Sequence, residues 1–156
     1  MAVSLIRIGA EDAEDLWSMQ VRAFQRLYET YQDTGTSPAA EGIDKILARL
    51  RQSFTYYYFI KADGVTVGAI RVVDKQEDGR AKRISPVFVL PEYRNRGFAQ
   101  AAIRLAEEIH GQANWELDTI LQETANRYLY EKLGYRRTGE TRVINEKMTL
   151  VSYKKE

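Results

Sequence analysis

The 156-residue chain has no cysteine and one histidine, His110. Without thiols it forms no disulfide, no thiolate metal site and no acyl-cysteine intermediate. A single imidazole also excludes a multi-histidine metal centre and a pair of catalytic histidines, so no metal is expected. No apolar run approaches the ~20 residues needed to span a membrane. The apolar stretch Leu5–Ile8 is short, contains Arg7 and runs into Glu11, Asp12, Glu14 and Asp15. It does not read as a secretory leader, and a soluble, cytoplasmic protein is expected. Neither charge sign dominates, since 23 Lys and Arg face 22 Asp and Glu for a net charge of +1. That balance argues against a nucleic-acid binder. A local patch of Lys82, Arg83, Arg94 and Arg96 leaves a nucleic-acid or phosphoprotein surface open as a minor reading.

Apolar residues make up 44% and aromatics 11% of the chain, which opposes disorder. The length fits one domain over residues 1–156, large enough to bury a core without staples. Val3–Ile8 reads as a strand. Trp17, Val21, Phe24, Tyr28 and Tyr31 recur at helical spacing in residues 11–32, with acidic residues where the helix dipole favours them. Ser37 and Pro38 are expected to cap and open a second helix reaching Gln52. Thr55–Lys61 and Val65–Val73 flank Asp63-Gly64, a type I′ hairpin signal. The polar run Asp74–Lys82 reads as a loop and Arg83–Leu90 as the most apolar strand. A helix over 96–110 carries Ala99, Ala102, Ile103, Ala106 and Ile109 on one side and stops at Gly111. Trp115–Ile120 is a strand, 122–133 a helix stopped by Gly134, and Tyr135–Ile144 and Lys147–Tyr153 are closing strands. The order β-α-α-β-β-β-α-β-α-β-β describes an α/β fold around one mixed sheet.

The segment I-S-P-V-F-V-L-P-E-Y-R-N-R-G-F-A-Q-A-A-I runs from a buried strand through a basic turn into a helix of small residues. Free backbone N–H groups at a helix start converge on one point, and the dipole adds positive potential there. Gly97 lets an anion approach the backbone, Ala99 keeps the next contact small, and Arg94 and Arg96 add charge. Pyrophosphate suits such a site.

The run V-L-P-E-Y-R-N-R-G-F-A resembles the acetyl-CoA-binding motif of the GNAT superfamily of N-acyltransferases, with Arg94, Gly97 and Ala99 at its defining positions. L-Y-E-K-L-G-Y at 129–135 is similar to that family's closing signature, and the element order matches throughout. The resemblance implies an acetyl-CoA-dependent N-acetyltransferase acting on a small-molecule or peptide amine, as a monomer or homodimer. By the same resemblance the N–H groups of Asn95, Arg96, Gly97, Phe98, Ala99 and Gln100 cradle the pyrophosphate. Val87, Phe88 and Val89 would pair with the pantetheine arm, and Tyr130 would protonate the departing thiolate. Asn126 would bind the cofactor, although many relatives carry an asparagine seven residues before the tyrosine, where this chain has Glu123.

The candidate bases are Glu116 and Asp118, which share one strand face, and Glu123 on the helix, with Asp118 and Glu123 the leading two. On the helix, Glu123, Asn126 and Tyr130 share one face and Ala125, Leu129 and Leu133 a neighbouring core stripe. His110 reads as a structural residue at a helix C-terminus, where a cation suits the dipole. The run Tyr56–Phe59 puts aromatics on both strand faces, mostly in the core. Tyr28 and Tyr31 lie where they could reach an acceptor. A catalytically silent acyl-CoA-binding module shares the Gly97 turn with the enzyme, and the sequence decodes no acceptor.

Overall fold

A computed structural model describes residues 2–156. Its strands are β1 (Val3–Arg7), β2 (Thr55–Ala62), β3 (Val65–Val73), β4 (Lys82–Val89), β5 (Trp115–Ile120), β6 (Arg136–Asn145) and β7 (Met148–Lys155). Its helices are α1 (Ala13–Tyr31), α2 (Ile43–Leu50), α3 (Phe98–His110) and α4 (Thr124–Lys132). The strands form one seven-stranded sheet in the order β1-β2-β3-β4-β5-β7-β6, the mixed α/β arrangement expected.

Neighbouring strands run antiparallel except β4 and β5, which run parallel and pair only at Lys82 with Trp115 and Arg83 with Glu116. Beyond Arg83 the two strands part, and the sheet opens into a wedge. Strand alternation fills both faces. Tyr57, Ala69 and Phe88 pack under α1 and α2 with Ile8, Leu16, Ala23 and Ile46. Tyr58, Ile60, Ile70, Ile84 and Leu117 pack under α3 and α4 with Phe98, Ile103, Tyr130 and Leu133. A strand buried on both faces reads as a continuous apolar run, which explains the aromatic stretch in β2. Among the described residues no helix is long and apolar enough to cross a membrane.

The Asp63-Gly64 hairpin forms as expected, both residues having positive φ (49° and 84°). Several helix boundaries differ. Ser37 Oγ does accept the Ala39 N–H, but Pro38–Ala40 closes as one 3-10 turn and α2 starts only at Ile43. Tertiary contacts hold Glu41 extended: its carbonyl accepts Trp17 Nε1 at 2.8 Å, and Arg49 clamps its carboxylate with two bonds of 2.7 Å. α3 begins at Phe98, because Asn95 and Gly97 are left-handed (φ 65° and 79°). α4 begins at Thr124. The buried stripe of α1 is Ala13, Leu16, Gln20, Ala23 and Tyr31, about one position away from the apolar spacing, because Gln20 turns inward to bond Pro38 and Glu41. Ala125 and Ile109 are exposed, contrary to the core stripes assigned to them.

In place of Ile109, α3 buries Glu107, whose carboxylate takes Lys155 Nζ at 3.0 Å and the Tyr135 O–H at 3.0 Å. This buried pair ties α3 to β7 and to the start of β6. His110 does end α3 beside Gly111, yet burial pushes its pKa below the ordinary value, so it sits as a neutral ring between Tyr58 (2.9 Å) and Asp74 (3.4 Å). The edge strand β6 is exposed over residues 136–143 and carries register shifts and three arginines. Such irregular, charged edges oppose pairing with another chain.

Gly68 sets the distance between β3 and β4. A Cβ there would lie 2.0 Å from the Phe88 carbonyl oxygen. Backbone cannot yield as a side-chain tip can, so Gly68→Ala is expected to cost about 1–3 kcal/mol. Thermal denaturation checks this, and an unchanged melting temperature would refute the close approach.

Candidate active site

The turn after β4 is built from a 3-10 segment, Pro91–Tyr93, followed by left-handed Asn95 and Gly97. The N–H groups of Asn95, Arg96, Gly97, Phe98, Ala99 and Gln100 have no hydrogen-bond partner among the described residues; the next, Ala101, donates to Gly97 O. No atom lies within 4 Å of where a Gly97 Cβ would be. Six adjacent donors facing open space at a helix start fit a phosphate or pyrophosphate. The side chains of the turn are placed differently from one another. Phe98 is buried in the core, leaving only its N–H outward. Arg94 gives Nε to Val89 O (3.2 Å) and Nη2 to Ala23 O (2.6 Å), bracing the turn against α1. Arg96 stays exposed, over the Tyr93 ring at 5.8 Å.

β4 supplies an open backbone edge. Leu90 N–H donates to Val67 O on β3, so strand alternation turns the N–H groups of Val89 and Val87 toward the wedge. Phe88 points its ring under α1, where it meets Phe24 edge-on at 5.7 Å. One residue further back the register shifts, with Ser85 and Pro86 standing opposite Arg71.

On α4, Tyr130 is buried against Tyr135 and Tyr153, with ring centroids 6.3 Å away in each case. It joins the same apolar cluster as Val89 and Phe98. Its O–H has no partner among the described residues, and burial pushes its pKa up to about 12. Tyr130 is thus an uncommitted donor that stays protonated at neutral pH. Asn126 is half-buried and makes no side-chain hydrogen bond among the described residues. Glu123 is committed elsewhere: at the N-cap of α4 it takes the Tyr31 O–H at 2.5 Å and Arg26 Nη2 at 2.7 Å. Burial first, then this bond, pushes the Tyr31 pKa up to about 12. Asn145 Nδ2 donates to Tyr31 O at 2.8 Å, so α1, α4 and the β6–β7 hairpin meet at this clasp.

At the closed end of the wedge, Asp118 takes Arg83 Nη2 at 2.6 Å and the Ser152 O–H at 2.7 Å. Glu116 lies 3.6 Å from Arg83, on the same strand face as Asp118. The two carboxylates therefore share a face, as their parity implies, and the base candidates are separated: Asp118 at the closed end, Glu123 at the clasp. The contributions of Arg26, Asn145, Ser152 and Arg71 carry no local signal, because each acts through a partner far away in the chain. Among the described residues no cluster of His, Asp and Glu suits a metal ion.

Solved structures share this architecture. The N-acetyltransferase PaiA from Thermoplasma acidophilum, in complex with coenzyme A, superposes with TM-score 0.77 over 100% of both chains at 16% identity. Spermidine N-acetyltransferase from Vibrio cholerae, with CoA and spermine, gives 0.75 at 15% identity over 97% of this chain and 93% of the other. The microcin C7 self-immunity acetyltransferase MccE, with acetyl-CoA and AMP, gives 0.70 at 13% identity over 97% and 90%. No curated protein matches the chain closely in sequence. The sequence profile described as acetyltransferase (GNAT) family matches residues 15–135, which include β4, the Gly97 turn and α4. The chain belongs to the acetyltransferase (GNAT) family.

Proposed function

We propose that this protein transfers an acetyl group from acetyl-CoA to a primary amine, directly within a ternary complex. The observation that carries this reading is the run of six N–H groups at Gly97 without partners among the described residues, at the end of a strand whose pairing with β5 stops at Arg83. Bound acetyl-CoA would supply an activated acetyl thioester. The N–H groups of Asn95–Gln100 hold its pyrophosphate, with Arg96 adding positive potential. The N–H groups of Val87 and Val89 pair with the pantetheine arm and polarise the thioester carbonyl, an oxyanion-type contribution. Asn126, unbonded on the adjoining face of α4, is available to the same arm.

The amine nitrogen bonds to the acetyl carbon as the C–S bond breaks, and the sulfur takes one proton from Tyr130. The acceptor ammonium gives up two protons overall, one replacing that of Tyr130 and one released to solvent. Tyr130, kept protonated by burial, donates rather than accepts throughout neutral pH. Asp118 is the base in this reading. Arg83 and Ser152 orient its carboxylate, and its strand face is the one turned away from α3 and α4. Glu123 is engaged to the same degree, by Arg26 and Tyr31, and is set aside because it joins α1 to α4 instead of lying on the strand face of Asp118.

Three substitutions test this assignment. Gly97→Glu places a charge and a left-handed strain where the anion would sit, and should abolish the calorimetric binding of acetyl-CoA. Retained micromolar binding would remove the turn from the cofactor site. Tyr130→Phe should lower kcat ~10²–10⁴-fold. It should leave the melting temperature nearly unchanged, because no internal hydrogen bond is lost. An undiminished kcat would return Tyr130 to the core, and binding without turnover for any amine would favour the silent module. Asp118→Asn should lower kcat/KM ~10²-fold. An unaltered kcat/KM would pass the role to Glu123.

A further inference from the structure

We infer that the acceptor amine carries a carboxylate, which Arg71 binds beside the thioester; the inference rests on the acetyl-transfer reading above and names its substrate class. Arg71 sits on β3 opposite Tyr57, on the sheet face beneath α2. Its Nη1 donates to Ser85 O at 2.9 Å and its Nη2 lies 3.5 Å from Gln52 Oε1. Its Nε is buried without any partner among the described residues. Gln52 offers little more, since Oε1 already accepts the Thr55 O–H at 2.7 Å.

The neighbouring charges make this guanidinium the odd one of three. Arg49 is paired with Glu41 at 2.7 Å, and Arg83 with Asp118 at 2.6 Å and Glu116 at 3.6 Å. Lys45 also draws on Glu41, at 3.5 Å. These carboxylates are thus committed, and Arg71 makes no ion pair of its own among the described residues. A half-buried cation left without a counter-ion is costly, and an incoming carboxylate would supply one through the guanidinium N–H groups that Ser85 and Gln52 leave over.

Position gives this vacancy its meaning. Arg71 stands opposite Ser85 and Pro86, and Val87, whose N–H faces the wedge, is only two residues beyond Ser85. Two strand residues span about 7 Å, the scale of a small amino acid. Bound there, a carboxylate on Arg71 leaves the amine of the same molecule near the reacting carbonyl and on the face that bears Asp118. Arg71, the one of the three without a counter-ion, disfavours a substrate that is only cationic. Spermidine, the acceptor in the name of one structural neighbour, should therefore be a poor substrate here.

The experiment measures CoA release by a thiol reagent, for which the cysteine-free protein gives no background. One set of acceptors holds free amino acids, including lysine, ornithine and 4-aminobutanoate. The second holds their carboxamides together with putrescine and spermidine. The inference expects kcat/KM roughly 10–10²-fold higher for carboxylates than for the matching amides. Arg71→Gln should raise KM for the carboxylates while leaving kcat and the residual use of amides nearly unchanged, and Arg71→Lys should restore part of the loss. Amides used as well as carboxylates would overturn the inference while preserving acetyl transfer. Equal impairment of both sets in Arg71→Gln would also overturn it, marking Arg71 as a brace for Ser85. The wild-type comparison decides the matter should Arg71→Gln fail to fold. If no amine releases CoA, the transfer reading fails, and binding becomes the criterion: an amino acid but not its amide must raise the melting temperature of the wild-type protein.

Discussion

The parting of β4 from β5 is the constraint on which the rest of the structure depends. The strands exchange contacts at two residue pairs, then separate, so the centre of the sheet contains an unpaired backbone edge. An open edge within a sheet is costly unless something pairs with it. Arg83 pins the junction by holding Asp118 and Glu116 on the neighbouring strand, and Lys82 reinforces it by giving N–H to Asn114 O and Nζ to Ala113 O. At the opposite end, β4 runs into the left-handed turn, where six more N–H groups lack partners among the described residues. One strand therefore offers both a linear edge and a convergent cradle. An extended ligand with a polar arm and a diphosphate meets both needs together.

Side chains hold this unpaired backbone in place. Arg94 spends its guanidinium on the carbonyls of Val89 and Ala23, locking the turn to α1. Gly68 lets β3 press against Phe88, giving β4 a fixed wall on its paired side. Across the wedge mouth, Tyr31 and Arg26 reach Glu123, so the helix that carries Tyr130 is tied to the helix that braces the turn. The Arg26–Glu123 pair is mostly exposed at its arginine and stabilises little alone. The short bond from Tyr31, whose side chain is buried, is the firmer part of the clasp.

Elements with local causes were legible in the sequence. The Asp63-Gly64 hairpin, the Gly97 turn and the helix stop at Gly111 each follow from backbone that glycine permits, and they appear where their residues imply. The boundaries of the two short helices did not follow. Ser37-Pro38 gives a sound cap signal, but Glu41 is held extended by Trp17 and Arg49, partners 24 and 8 residues away. Helix faces shifted for a similar reason: Gln20 and Glu107 are polar by type and buried in fact, because distant groups satisfy them. Burial of such residues depends on partners that periodicity does not register. Within the candidate site, the turn residues were legible, while the clasp of Glu123 and the environment of Asp118 became visible only with α1, β4 and β7 in place.

That division follows from the two halves of the proposed site. The proposed cofactor side rests on backbone N–H groups, whose display demands glycine, a fixed spacing and a helix start within a dozen residues. Such demands leave a mark in one stretch of chain. The inferred acceptor side rests on side chains drawn from α2, β3, β4, β5 and β7, and their meaning lies in how charges cancel. Arg49, Arg71 and Arg83 are alike in sequence; only their pairing distinguishes the two that are neutralised from the one that is not. Because a charge acts through its surroundings, no reading of Arg71 in isolation could assign it a ligand. On the proposed reading the cofactor is written into a local motif while acceptor choice is distributed over the sheet, so that moving a single counter-ion in this chain would change the acceptor it takes.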